Sequence, residues 1–151
     1  MKIYLAASFA FPDKETTEER KAIISKAALS LRNRGFDVFV PHEHKIPDAE
    51  KMDNLLWSAC VMAMDKGNID IADWVVVLTF GKAGNNAGVA WEAGYAYGIG
   101  KNVLIVKMNN EIESMMMWFN AHSKVMGLEG LEAFDFDNNH HDSVLSKVTL
   151  S

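Results

Sequence analysis

Trp74-Val75-Val76-Val77-Leu78 is the stretch that decides the fold. A short continuous apolar run rich in β-branched residues suits a strand buried on both faces, as in a parallel sheet. It opens into a loop rich in Gly, Ala and Asn, Gly81 to Gly88, and then into a helix predicted over about Val89 to Ile99. Working outward, the same alternation recurs. Lys2 to Ala7 reads as a strand. A helix capped by Thr16 or Thr17 then carries Ile23, Ile24, Ala27, Ala28 and Leu31 at helical spacing and stops at Asn33-Arg34-Gly35. Asp37 to Val40 is the second strand, closed by Pro41, and residues 42–49 form a polar loop. Asp53 to Met64 is helical and continues through Asp65 towards Ile71. After Gly100-Lys101 come a strand at Val103 to Val106 and a helix at Glu111 to Ala121. Leu131 to Phe136 is expected as a last short strand and Ser143 to Val148 as a helical end. Strands alternating with helices predict an α/β fold: a flavodoxin-like or Rossmann-like three-layer sandwich around about five parallel strands in the order 2-1-3-4-5.

Composition narrows the function. A chain of 151 residues, 49% hydrophobic and 23% charged, is expected to form one globular domain, 1–151, with a real core. Its net charge of -5, with Lys and Arg scattered, offers no footprint for nucleic acid. Cys60 is the only cysteine, so no internal disulfide forms, and it is expected as a buried helix residue. Nothing near Met1 resembles a secretory signal and no apolar run approaches bilayer length, so a soluble cytoplasmic protein with no membrane contact is expected.

In open parallel sheets, ligands bind beyond the carboxyl ends of the strands where strand order reverses, here between strands one and three. The loops at those ends are Ala7-Ser8-Phe9-Ala10-Phe11 and Thr79 to Gly88, and the second leads into Val89-Ala90-Trp91-Glu92-Ala93-Gly94-Tyr95-Ala96-Tyr97. Glu92 therefore falls in the first turns of a helix whose amino end faces the crevice. The helix dipole there favours its ionised form. Gly88, Ala93, Gly94 and Gly98 allow helix and sheet to approach closely. A first-turn glutamate is also a common surface feature, and the local sequence does not separate the two readings. Asp65 is expected at a helix end reaching the same crevice, while Asp73, directly before the buried strand, suits a cap or turn.

The ordered set Lys2-Ile3-Tyr4-Leu5-Ala6-Ala7, Asp65, Ile71-Ala72-Asp73-Trp74-Val75-Val76-Val77, Gly88-Val89-Ala90-Trp91-Glu92-Ala93-Gly94-Tyr95-Ala96 and Gly100-Lys101 resembles the nucleoside 2-deoxyribosyltransferases and the related nucleotide N-glycosidases, over nearly the whole chain. The resemblance implies transfer of 2-deoxyribose between nucleobases by double displacement: Glu92 attacks the anomeric carbon of a nucleoside, and an acceptor base or water resolves the glycosyl ester. It implies Asp65 as the acid that helps the base leave, Tyr4 as the hydroxyl orienting Glu92, and Ser8, Phe9, His44, Asn86, Gly88, Ser114 and Met116 as substrate-binding positions. The implied partners are a small nucleoside and a free nucleobase, with no cofactor. A homo-oligomer of at least two chains with shared sites is implied as well, because the family reaches into the neighbouring site from the positions of Ser114 and Met116, ahead of Trp118.

The chain departs from the family at three places. Asn86 stands where the transferases usually carry an aspartate, which leaves base preference open. Ser114 replaces an asparagine. The loop after strand one lacks the Arg-rich, hydroxyl-rich pattern that holds a 5′-phosphate, which favours a nucleoside over a nucleotide. His42-Glu43-His44 has no further ligands nearby and reads as solvated rather than metal-binding, with His44 or Glu43 lining the base pocket by the same resemblance. His140-His141 reads as surface. Gly81 to Gly88 carries neither dinucleotide nor P-loop glycines, and Met115-Met116-Met117 suits interface or core packing. Transfer, hydrolysis of the N-glycosidic bond of nucleosides or nucleotides, and a non-catalytic nucleoside-sensing module all remain open at the level of sequence.

Overall fold

The computed structural model of the chain describes residues 1–8, 13–81, 87–111, 117 and 121–139. Five strands form one sheet: β1 (Lys2–Ala7), β2 (Asp37–Phe39), β3 (Trp74–Thr79), β4 (Asn102–Lys107) and β5 (Ser123–Met126). Their spatial order is β2-β1-β3-β4-β5 and every neighbouring pair is parallel, as expected from the alternation of strands and helices. The described residues also form four α-helices, α1 (Lys14–Asn33), α2 (Asn54–Ile71), α3 (Ala87–Gly98) and α4 (Gly127–Ala133).

Alternation along the strands sorts side chains into two cores. Ile3 and Leu5 of β1, Trp74, Val76 and Leu78 of β3, and Leu104 and Val106 of β4 face Ile24, Ala27, Ala28 and Leu31 of α1 and Leu131 of α4. Tyr4 and Ala6, Val75 and Val77, and Val103 and Ile105 face Ile69 of α2 and Val89, Ala93 and Ala96 of α3. The sheet is thus the middle of three layers. Central β3 is buried along its whole length, and each such Val or Leu contributes about 1.5–3 kcal/mol by leaving water.

Local departures from expectation have physical causes. Helix α1 is capped by Asp13, whose carboxylate accepts from Thr16 N–H at 2.7 Å, rather than by Thr16 or Thr17. Asp ranks above Thr as an N-cap, and it stands at the turn. Gly35, at φ +85°, ends the connection into β2, a conformation that disfavours side chains. The expected strand at Leu131 to Phe136 is absent. The chain instead forms β5 earlier and then α4, with Phe134 and Phe136 packed edge-on against Trp74 at 5.4 and 5.3 Å. The Phe134-Asp135-Phe136 alternation serves this aromatic cluster. Gly130 is required where α4 meets β5, since a Cβ there would lie 2.9 Å from the Val125 Cβ. Cys60 is half-buried on α2, not fully buried. Most of the helix expected at Glu111 to Ala121, and the tail segment Ser143 to Val148, lie outside the described residues, as do His140 and His141. Among the described residues no helix is long and apolar enough to cross a membrane.

Replacing Asp13 with Ala is expected to lower stability by about 1 kcal/mol, read from the urea midpoint at unchanged slope.

Candidate functional site

Strand order reverses between β1 and β3, and the polar groups inside the α2/α3 layer gather beside that point. Tyr4 is buried mid-strand on β1, and its hydroxyl donates to Glu92 Oε1 at 2.7 Å. Glu92 comes from the buried stripe of α3 that also holds Val89, Ala93 and Ala96. Asp65 comes from α2, where it and Ile69 are the buried residues. It stands well inside the helix rather than at its end, within hydrogen-bonding reach of the same Tyr4 hydroxyl. Asp65 and Glu92 are the buried charged side chains among the described residues.

Burial governs their proton affinities. The Glu92 carboxyl is pushed up to about 7, first by loss of water and further by the Asp65 charge, against the lowering effect of the Tyr4 hydrogen bond. The first-turn dipole expected to keep Glu92 ionised does not dominate. Glu92 lies beyond the first turn of α3, where the dipole has faded, and desolvation outweighs what remains. Asp65 is raised by burial too, offset by Tyr4. The Tyr4 phenol is raised far above its ordinary range by burial and by the two carboxylates, so it stays a proton donor. One hydroxyl proton faces two carboxylates. Glu92 receives it, and Asp65 Oδ1 is buried with no hydrogen-bond partner among the described residues. A buried acceptor left unpaired costs about 1–3 kcal/mol.

Around this trio the ring of Tyr4 stacks on Phe39 at 5.6 Å, and Phe39 stacks on the exposed ring of His44 at 4.3 Å. Glu43 is turned to Arg32, which donates to it at 2.6 Å and holds its carboxyl low. No three His, Cys, Asp or Glu side chains are gathered to hold a metal ion among the described residues. Ser8 is half-buried directly after β1. Gly88 is exposed in the first turn of α3, and a Cβ there would meet nothing within 4 Å, so its value is open space rather than the close helix-sheet approach expected of it. Phe9, Asn86, Ser114 and Met116 lie outside the described residues. Asp73 is at the opposite edge, where its carboxylate accepts from Lys2 N–H at 2.7 Å and clips β1 to β3. Two residues were missed in the sequence. Phe39 bridges Tyr4 and His44 from the end of β2. Thr79, fully buried with no hydrogen-bond partner for its hydroxyl among the described residues, follows Val75 and Val77 onto the face that carries Tyr4. The signal for Thr79 was a single hydroxyl ending the apolar run of β3.

Solved structures share this architecture. A 2-deoxyribosyltransferase from the psychrotolerant bacterium Bacillus psychrosaccharolyticus superposes with a TM-score of 0.79 at 31% identity, over 92% of this chain and 96% of that one. A CMP N-glycosidase of Clostridium botulinum shares the fold, with a TM-score of 0.58 at 16% identity, over 87% of this chain and 96% of that one. No curated protein matches the chain in sequence. Residues 3–139 match the family model described as nucleoside 2-deoxyribosyltransferase. The fold and its buried carboxylates therefore have a family: the chain belongs to the nucleoside 2-deoxyribosyltransferases.

A carboxyl whose folded-state pKa is raised stabilises the fold below its unfolded value, near 4.5, and that contribution is lost as pH rises through about 7. Glu92→Gln, which keeps an acceptor for Tyr4, is therefore expected to be more stable than the parent at pH 8, by at most about 3 kcal/mol. The gain should vanish near pH 4, and thermal melts at the two pH values check the sign.

Proposed function

We propose that the chain transfers 2-deoxyribose between nucleobases, with Glu92 as the nucleophile. The observation that carries this reading is the buried Tyr4-Glu92 hydrogen bond with Asp65 beside it, which provides a held carboxylate and a second acid in one dry cluster. In the first displacement a Glu92 oxygen bonds to the anomeric carbon as the N-glycosidic bond breaks. The base leaves with that electron pair and takes a proton from Asp65. In the second, a nitrogen of the acceptor base attacks the same carbon, the ester bond returns its electrons to Glu92, and the acceptor's proton passes to Asp65. Two inversions retain configuration.

The electrostatics suit these roles. A heterocyclic anion is a poor leaving group, so an acid is needed, and burial helps Asp65 hold its proton. The unpaired Asp65 oxygen is a natural acceptor for an N–H of the base. Tyr4 keeps one Glu92 oxygen engaged and lowers its proton affinity, leaving the other oxygen for attack. An oxocarbenium-like sugar beside the ionised carboxylate is stabilised electrostatically in a site with little water. Ser8, Gly88 and His44 are proposed as substrate-contacting positions, His44 through its stack on Phe39. Phe9, Asn86, Ser114 and Met116 are proposed with them from the family resemblance alone.

Chromatography of each 2′-deoxynucleoside with a second free base is the direct test. A new deoxynucleoside formed by the parent, with a drop of about 10³-fold or more in Glu92→Ala, is expected. Free base released without exchange would replace transfer by hydrolysis, and an equally active Glu92→Ala would remove Glu92 from the mechanism.

The pH profile gives a second expectation. The first displacement needs Glu92 ionised and Asp65 protonated, so kcat/KM should trace a bell in pH, with Glu92 ionising near 7. Asp65→Asn should lose one limb of the bell together with most of the activity, and Tyr4→Phe, which removes the hydrogen bond that lowers Glu92, should move the Glu92 limb to higher pH. A full bell retained in Asp65→Asn would contradict the role proposed for Asp65.

A further inference from the structure

Helices α2 and α3 each carry one of the two buried acids, Asp65 and Glu92. Both are raised by loss of water, and the Asp65 charge raises Glu92 further. Ionised together, like charges in a dry layer repel. What packs beside them is apolar, Ile69 of α2 with Ala93 and Ala96 of α3, and apolar burial is non-directional, so it does not fix how one helix sits along the other. A polar clip on the outside of the same helix pair supplies direction. The Tyr95 hydroxyl donates to Asp70 Oδ1, and Lys66 Nζ donates to Asp70 Oδ2 at 2.7 Å. The Lys66 ammonium stands 5.2 Å from the centre of the Tyr95 ring, and Trp91 stacks flat on that ring at 5.3 Å. Lys66 and Tyr95 hold the Asp70 carboxyl low, so the acceptor stays ionised and the bond is charge-assisted. Among the described residues, the side-chain hydrogen bonds made directly between α2 and α3 run through this one hydroxyl. Each half of the clip is close to an acid in the chain: Lys66 directly follows Asp65, and Tyr95 lies about one turn beyond Glu92.

We propose that Tyr95 is a positioning residue, whose bond to Asp70 fixes the separation of Asp65 and Glu92 across the contact of α2 with α3. The inference rests on the reading of those two acids given above, and Tyr95 acts through them. The groups that face Glu92 are Tyr4 from β1 and Asp65 from α2. Tyr4 is buried in a strand paired on both sides, so the sheet holds it. Asp65 is only as fixed as the helix that carries it. Loss of the Tyr95 hydroxyl lets α2 draw away, which takes the Asp65 charge from Glu92 and admits water to it. Both effects lower the proton affinity of Glu92, so the sign is the same whichever prevails. The acid also moves relative to the leaving base, and a misplacement of about 1 Å can cost up to about 100-fold in rate.

Infrared titration of the Glu92 carboxyl, its band assigned by its loss in Glu92→Gln, reads this coupling without any substrate. The parent should titrate near 7. Tyr95→Phe, which keeps the ring and changes no charge, should titrate at lower pH and, in the base-exchange assay, lose about 10-fold in kcat with KM little changed. Asp70→Ala and Asp70→Asn remove the same charge, but only the asparagine offers an oxygen to the Tyr95 hydroxyl. Asp70→Ala should therefore follow Tyr95→Phe, while Asp70→Asn stays near the parent. Thermal melts by circular dichroism accompany each titration, because a merely structural Tyr95 would lower the melting temperature and leave the Glu92 midpoint in place. An unmoved midpoint in Tyr95→Phe, or equal midpoints in the two Asp70 variants, would overturn the proposal. A midpoint that moves in Tyr95→Phe, when the parent itself transfers no deoxyribose, would uphold the clip and remove the reaction alone.

Discussion

Tyr4 has one hydroxyl proton and two buried carboxylates beside it, and the arrangement of three elements turns on where that proton goes. Given to Glu92, it ties β1 to α3 at 2.7 Å and leaves Asp65 on α2 short of a donor. Among the described residues neither carboxylate is paired with a cation, so the cluster is costly to build. The cost is carried by the apolar layer around it, where Ala6, Ile69, Val75, Val77, Ala93 and Ala96 pack from the sheet and both helices. A core made entirely of such contacts would be more stable, and placing two acids there is a local sacrifice of stability.

The opposite face of the sheet compensates. It holds no buried carboxylate among the described residues. Trp74 is enclosed there by Phe134 and Phe136, and Arg34 joins the end of α1 to the α4 segment by donating to the carbonyls of Leu131 and Phe134. The Trp74 indole N–H is the price of that closure, since it has no hydrogen-bond partner among the described residues. The two faces thus divide labour. One stabilises the sheet with aromatic packing, and the other spends stability on proton-bearing groups.

Much of this was legible in the chain itself. The apolar run of β3, the glycine-rich loop after it and the regular alternation of strands and helices led to five parallel strands in the observed order, because period and length carry that information. Glu92 and Asp65 were singled out by their place at the crevice where strand order reverses, Tyr4 and the roles of all three by resemblance to a family, and the structure brings them together. What resisted reading depended on tertiary surroundings. The segment 127–136 alternates like a strand at its end, yet its aromatics were committed to Trp74. The proton affinity of Glu92 was read from helix position, whereas it follows from how much water the neighbouring layer excludes. Phe39 was hidden because nothing local distinguishes a ring that bridges two others from a ring that merely fills the core.

Strand β1 holds Tyr4 between Ile3 and Leu5, which face the other core. A slip of β1 by one residue would exchange those faces. An isoleucine or leucine would then stand before Glu92, and the phenol would be trapped among the aliphatic residues of α1. The fold could survive such a shift in a strand so evenly apolar, but the hydroxyl could not be found again by any side-chain rotation. A one-residue slip of β1 is therefore filtered by geometry rather than by stability, and the alignment of β1 with β3 serves as the ruler that sets the position of a single oxygen atom.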